Sequence, residues 1–60
     1  MEQEKKNLLK AIDTVYFYMN SNHLAMEKSS SQEEYLYFYK ENMKLKSKLK
    51  AYQDELKRFN

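Results

Sequence analysis

The chain has 60 residues, of which 33% are charged, with a formal net charge of +2 at pH 7. This length allows one domain at most, and so balanced a charge excludes a strongly acidic or basic tail. The absence of Cys excludes disulfides, thiolate metal sites and thiol catalysis, and it is typical of a reducing cytoplasm. The chain also lacks Gly and Pro, on which the tight turns of β-rich folds depend. The composition therefore predicts an all-α fold.

The first predicted helix covers residues 3–28. Two of its residues, Asn20 and Asn22, belong to a short polar stretch of modest helix formers that ends at His23. The helix either kinks or stops there, or it runs on to Lys28; the return of Met26 to the apolar face favours continuation. That face carries residues at helical spacing, namely Leu8, Ile12, Val15, Met19 and Met26, and Leu9, Tyr16 and His23 widen it.

The second predicted helix covers residues 32–59 and follows a serine turn at residues 29–31. Ser30 with Glu33, or Ser31 with Glu34, has the spacing of a capping box. Its apolar stripe contains Tyr35, Phe38, Leu45, Leu49, Tyr52, Leu56 and Phe59.

One polar residue, Asn42, interrupts this stripe. An Asn at a core position can fix the register and the oligomeric state of packed helices. Alternatively, Asn42 lies at the edge of the apolar stripe and binds water.

The two stripes fall into register when the chain folds back at the turn. Residues whose numbers sum to about 60 then meet, which pairs Ile12 with Leu49 and places Asn22 opposite Phe38. The sequence thus predicts an antiparallel two-helix hairpin in a single domain. Its core seam is expected to consist of Leu8, Ile12, Val15, Met19, Met26, Tyr35, Phe38, Leu45, Leu49, Tyr52 and Leu56.

Further apolar side chains lie outside this seam. A domain of this size is marginally stable unless disulfides, a metal or association support it, and association is the aid that remains. We therefore expect a homodimer that forms a four-helix bundle or a coiled-coil-like assembly; the alternative is a loose monomer. The residues predicted to contact the second copy or another partner are Phe17, Leu24, Leu36, Tyr37, Tyr39 and Met43.

The sequence predicts no catalytic, cofactor-binding or metal-binding residues. His23 and Glu27 are one helical turn apart, but one His and one carboxylate do not make a metal site. The longest apolar runs have five residues, against about 20 for a membrane-spanning helix, so no contact with a membrane is expected. We therefore expect a protein that is not an enzyme.

A basic segment in helix two suggests a second class of partner. Five lysines stand against a single acidic residue, Glu41, between positions 40 and 50, and a basic patch can bind nucleic acid through its phosphates. On the helix, however, these lysines surround every side except the apolar stripe, which is also how a solvated helix is charged. They are Lys40, Lys44, Lys46, Lys48 and Lys50.

The start of helix two, Ser31-Gln32-Glu33-Glu34-Tyr35, resembles the Ser-Gln-Glu-Leu-Asp motif of small helical-hairpin proteins that dephosphorylate the sporulation response regulator of bacilli. The motif's functional Asp falls on Tyr35 and its Leu on Glu34, so the resemblance implies a relative that binds without catalysis. Small chains without catalytic groups commonly act as adaptors, inhibitors or regulators. The sequence therefore favours a cytoplasmic module that binds itself and another protein, with nucleic-acid association or this phosphatase kinship as alternatives.

Overall fold

The computed structural model describes residues 2–59. Helix α1 spans Glu2–Lys28 and helix α2 spans Gln32–Leu56, followed by a short 3₁₀ helix at Lys57–Phe59. The two helices pack against each other as an antiparallel hairpin with Cα extents of 45 × 14 × 11 Å. Residues 2–59 include no β-strand, so the all-α hairpin architecture is confirmed. Within the same range, no helix is long and apolar enough to cross a membrane.

Helix α1 is continuous through the polar stretch Asn20–His23. The side chains in this stretch lie on the surface or at the edge of the packed face, and Asn22 bonds to Asn42 of α2. Modest intrinsic propensity is outweighed by packing of the flanking apolar face, as is usual for helices in folded proteins. The kink considered from the sequence is therefore absent from α1.

The serine turn ends α1 and begins α2 without any residue in the left-handed conformation. Ser29 donates its hydroxyl to the Met26 carbonyl at 2.8 Å, which satisfies one of the free carbonyls at the end of α1. Ser31 is extended (φ −139°, ψ 156°), and its Oγ accepts a hydrogen bond from the Glu34 backbone N–H at 3.2 Å. Of the two capping spacings in the sequence, the structure uses Ser31 with Glu34. No residue of the turn has positive φ, so Gly is not needed there.

The end of helix two differs from the sequence expectation. The α-helix stops at Leu56, and Lys57–Phe59 tighten into a 3₁₀ turn. The last turn of a helix lacks partners for its carbonyls, and a tighter turn satisfies some of them. Here the Lys57 N–H bonds to the Gln53 carbonyl. An exposed ion pair between Lys57 and Asp54, 3.7 Å apart, lies on the same turn.

The core is small and lies midway along the hairpin. Ile12, Val15 and Leu49 are the buried apolar residues, with 5–9% of their surface exposed. Met19, Leu45, Tyr52 and Leu56 pack around them, and Leu8, Met26, Phe38 and Phe59 are half-buried.

Tyr35 differs from its expected place in the seam. It is 43% exposed, and its ring stacks on that of Tyr39 with 6.5 Å between centroids. Three residues of helix turn the side chain through about 300°, so Tyr35 lies about 60° away from Phe38 around α2. That offset, together with the contact to Tyr39, places Tyr35 on the flank of the helix.

Candidate interaction surface

The hairpin has more large apolar and aromatic side chains than the contact between its two helices can bury. Among residues 2–59, ten of them are exposed, with between 42% and 69% of their surface accessible. All six residues predicted from the sequence to contact a partner belong to this set: Phe17, Leu24, Leu36, Tyr37, Tyr39 and Met43. The other four are Leu9, Tyr16, Tyr18 and Tyr35.

One side of the hairpin, here called the Tyr16 surface, is defined by Leu9, Tyr16, Tyr35, Tyr39 and Met43. Tyr16 on α1 accepts a hydrogen bond at 3.3 Å from the Gln53 side chain on α2, which places both on the same side. Gln53 in turn borders a shallow groove with Met43, Lys46 and Lys50. Leu9 precedes Tyr16, and Tyr39 precedes Lys46, by seven residues, or two helical turns, so they extend the same side along the hairpin.

The opposite side contains a second groove, here called the Tyr18 groove, with a volume of about 400 Å³. Its apolar lining comprises Tyr18, Tyr37, Phe38 and Leu45, and its polar rim comprises Asn22, Glu41, Lys44 and Lys48. The Tyr37 ring meets Phe38 edge to face, with 5.1 Å between centroids. Glu41 and Lys44 form an ion pair at 3.6 Å on the rim. The groove thus combines two exposed tyrosine rings with charged groups.

The residues predicted as one interface are therefore distributed around the hairpin. Tyr39 and Met43 lie on the Tyr16 surface, whereas Tyr37 lines the Tyr18 groove. Leu36 precedes Met43 by seven residues and continues its line. Phe17 and Leu24 share one line of α1 that points away from α2, and Phe17 is the most exposed of the set at 69%. A single flat partner cannot cover all six at once.

Leu9 and Tyr16 are predicted from the sequence to widen the packed face of α1. In the structure they are 43% and 50% exposed. Because they are seven residues apart, Leu9 and Tyr16 lie one above the other on α1, beside the buried face that contains Ile12. This spacing can be read from the sequence. Tyr18 has no such signal, since its place in a groove depends on how α2 packs beside it.

Two asparagines meet across the helix pair. The Asn22 amide donates to the Asn42 side-chain oxygen at 3.0 Å, and the Asn42 amide donates to the Met19 carbonyl at 3.3 Å. Both residues are half-buried. Asn42 therefore bonds within the protein at the boundary of the packed face, and Asn22 bonds to it as well as lying near Phe38 in the groove.

The lysines of the basic segment are divided between the two sides. Lys44 and Lys48 line the Tyr18 groove, while Lys46 and Lys50 line the groove of the Tyr16 surface. This division gives no single basic stripe along which a phosphate backbone could run.

Groups with catalytic or metal-binding chemistry do not converge in the described part of the chain. No group of three or more His, Asp or Glu residues is placed to hold a metal among residues 2–59. His23 and Glu27 are both exposed. The segment Ser31–Tyr35, which resembles the Ser-Gln-Glu-Leu-Asp motif, lies at the start of helix α2. The Ser31 hydroxyl caps this helix. The predicted absence of enzymatic activity stays a prediction.

Comparisons with known proteins give no family for this chain. No protein-family model, curated protein or solved structure matches it. The function is therefore inferred from the exposed side chains of the Tyr16 surface and the Tyr18 groove.

Proposed function

We propose that this chain is a small protein-interaction module that works as a homodimer of helical hairpins and regulates or adapts another protein. The observation that carries this proposal is the amount of apolar surface that the hairpin leaves uncovered. Among residues 2–59, three residues are buried, whereas ten large apolar or aromatic side chains are exposed. Five of the exposed side chains share the Tyr16 surface, and a contiguous apolar patch of this kind usually marks an interface.

The total surface supports association quantitatively. The chain exposes 5153 Å², whereas a compact monomer of its mass would expose about 4,200 Å² by the usual scaling of surface with mass. The difference is roughly 950 Å² per chain, and two copies that each buried this amount would form an interface of roughly 1,900 Å². That is within the range of specific, stable protein–protein contacts.

A dimer uses part of this surface and leaves part for a partner. Tyr37 and its neighbours in the Tyr18 groove are the candidate contact for a second protein, since tyrosine rings supply large contact area with a polar edge. The cytoplasmic location inferred from composition stays a prediction.

Sedimentation equilibrium over a range of concentrations tests the proposal directly. We expect a mass of two chains at micromolar concentration, and a constant mass of 7.4 kDa would contradict the proposal. Replacing Leu36 and Met43 together with Ser should weaken association while leaving the helical circular dichroism largely intact, because both side chains are exposed in the hairpin. A matched control is Ala51→Ser, which introduces Ser at an exposed position of the same helix that lines neither groove.

A further inference from the structure

The two sides of the hairpin differ in how well they suit a second copy. Exposed apolar side chains of the Tyr16 surface extend from Tyr35, near the turn, to Leu9, near the open end. The Tyr18 groove contributes two exposed tyrosines, and its rim carries Glu41, Lys44 and Lys48. Charged groups border both sides, since Lys46 and Lys50 line the groove of the Tyr16 surface. The two sides therefore differ in apolar extent, with five exposed apolar side chains on the Tyr16 surface against two in the groove. The Tyr16 surface is therefore the better site for a homodimer contact.

The length of the Tyr16 surface sets how far two copies must overlap to cover it. Its exposed side chains run from Tyr35 near the turn to Leu9 near the open end. Contact between the turn-proximal halves alone would leave Leu9 uncovered. Two copies must then lie side by side over most of the 45 Å length.

Two symmetric arrangements satisfy this overlap. In one, the twofold axis is perpendicular to the helices, so that α2 packs on α2 of the other copy and the turns lie at opposite ends. In the other, the axis runs parallel to the helices, the turns lie at the same end, and α1 of each copy packs on α2 of the other. A parallel axis keeps every residue at its distance from the turn, so residues whose numbers sum to about 60 meet between the copies.

Charge distinguishes the two arrangements. The α2 part of the Tyr16 surface carries Lys46 and Lys50. If α2 (Gln32–Leu56) packed on α2 along its length, these lysines would lie near Met43 and Tyr39 of the other copy, where neither meets a carboxylate. Asp13 lies between Leu9 and Tyr16 on α1, at the i+4 position of the same line. With the parallel axis, Asp13 of one copy comes to the height of Lys46 and Lys50 of the other. Complementary charges at a contact favour one arrangement over its alternative.

We infer, on the basis of the homodimer proposed above, that the second copy covers the Tyr16 surface about a twofold axis parallel to the helices. Helix α1 of each copy then lies against α2 of the other, all neighbouring helices are antiparallel, and Leu9 of one copy faces Lys50 of the other. The Tyr18 groove of each copy stays open on the outside of the four-helix bundle.

Disulfide trapping tests this arrangement, because the natural chain has no Cys. In the double variant Leu9→Cys/Lys50→Cys, mild oxidation should give a covalent dimer in high yield. The single variants Leu9→Cys and Lys50→Cys should give little, since each cysteine is distant from its copy in the other chain. The matched control Leu9→Cys/Lys48→Cys should also give little, because Lys48 lies at a similar height on the opposite side.

The results separate this inference from the dimer itself. A dimer by sedimentation in which a single variant cross-links efficiently, or in which the control cross-links as well as the test pair, overturns the arrangement and leaves the homodimer standing. A monomeric natural chain overturns both.

A charge exchange provides a second, non-covalent test. Asp13→Lys should weaken dimerisation by about twofold to fivefold, the effect of an exposed ion pair, and adding Lys50→Glu should restore it. Failure of the second change to restore association also contradicts the arrangement.

Discussion

The paired asparagines provide the most quantitative prediction about the hairpin. Asn22 and Asn42 bond to each other at 3.0 Å in a half-buried position. An internal hydrogen bond of this kind contributes about 0.5–1.5 kcal/mol net. Replacing either residue with Ala should lower the free energy of unfolding, and replacing both should cost less than the sum of the single changes by a similar amount. The coupling arises because the bond is lost only once.

A double-mutant cycle measures this coupling. Thermal or urea unfolding is followed by circular dichroism for the natural chain, both single variants and Asn22→Ala/Asn42→Ala, all at one protein concentration. For a chain of 60 residues, 1 kcal/mol corresponds to a shift in Tm of about 4–8 °C. Asn20 is exposed on α1, so a cycle between Asn20→Ala and Asn42→Ala should be additive. Additive effects in the Asn22–Asn42 cycle would show that this hydrogen bond does not form in solution.

Four further predictions follow from the fold and the surface. Replacing Ser31 with Ala removes the hydroxyl that caps α2 and should cost about 1 kcal/mol in urea unfolding, whereas Ser30→Ala should change it little. Ile12→Val removes one methylene from the buried core and should cost about 0.5–1.5 kcal/mol; an unchanged midpoint would contradict the core position of Ile12. Fluorescence anisotropy at low salt should show no tight binding of a DNA or RNA oligonucleotide, because the lysines are divided between two sides, and binding that weakens steeply with salt would refute this reading. The Tm should rise with protein concentration, since a dimer that forms only from folded hairpins stabilises them by mass action, and a constant Tm would refute that linkage.

The fold could be predicted from the sequence because each signal is local. Apolar residues at steps of three and four define two helices, and the serine cluster contains a side chain that caps the second one. Lack of Gly is compatible with the turn because none of its residues needs positive φ. These features depend on residues within a few positions of one another, so pattern and propensity are sufficient to locate them.

The pairing of Asn22 with Asn42 could not be obtained by counting residues from the turn. Helical side chains lean toward the N-terminus of their own helix. In a hairpin the lean points away from the turn on α1 and toward it on α2. Contacting residues then have numbers that sum to slightly more than 60, as Ile12 with Leu49 and Asn22 with Asn42 show. A count based on backbone height alone therefore placed Asn22 opposite Phe38.

The candidate interface was harder to predict than the core, for a physical reason. The sequence shows which side chains lie off the seam, but the side of the hairpin on which each one lies depends on its angle around the helix. Tyr37 and Tyr39 are two residues apart and face opposite sides, because two residues turn the helix through about 200°. Although Tyr37 and Tyr39 are close in sequence, they are not neighbours on the surface, and the single predicted interface is therefore divided between two sides of the hairpin.

The division of the surface into two unlike sides has a consequence for the proposed regulator. If one continuous patch carried all ten exposed side chains, dimerisation and partner binding would compete for it. In the proposed dimer, the second copy covers the Tyr16 surface, so that the Tyr18 groove would occur twice on the outside of the bundle, once on each hairpin. Two identical grooves held at a fixed separation can bind a dimeric or repeated partner with an effective concentration that a single groove lacks. In the proposed dimer, association would stabilise a hairpin with so small a buried core, and the same association would make the proposed partner-binding groove bivalent.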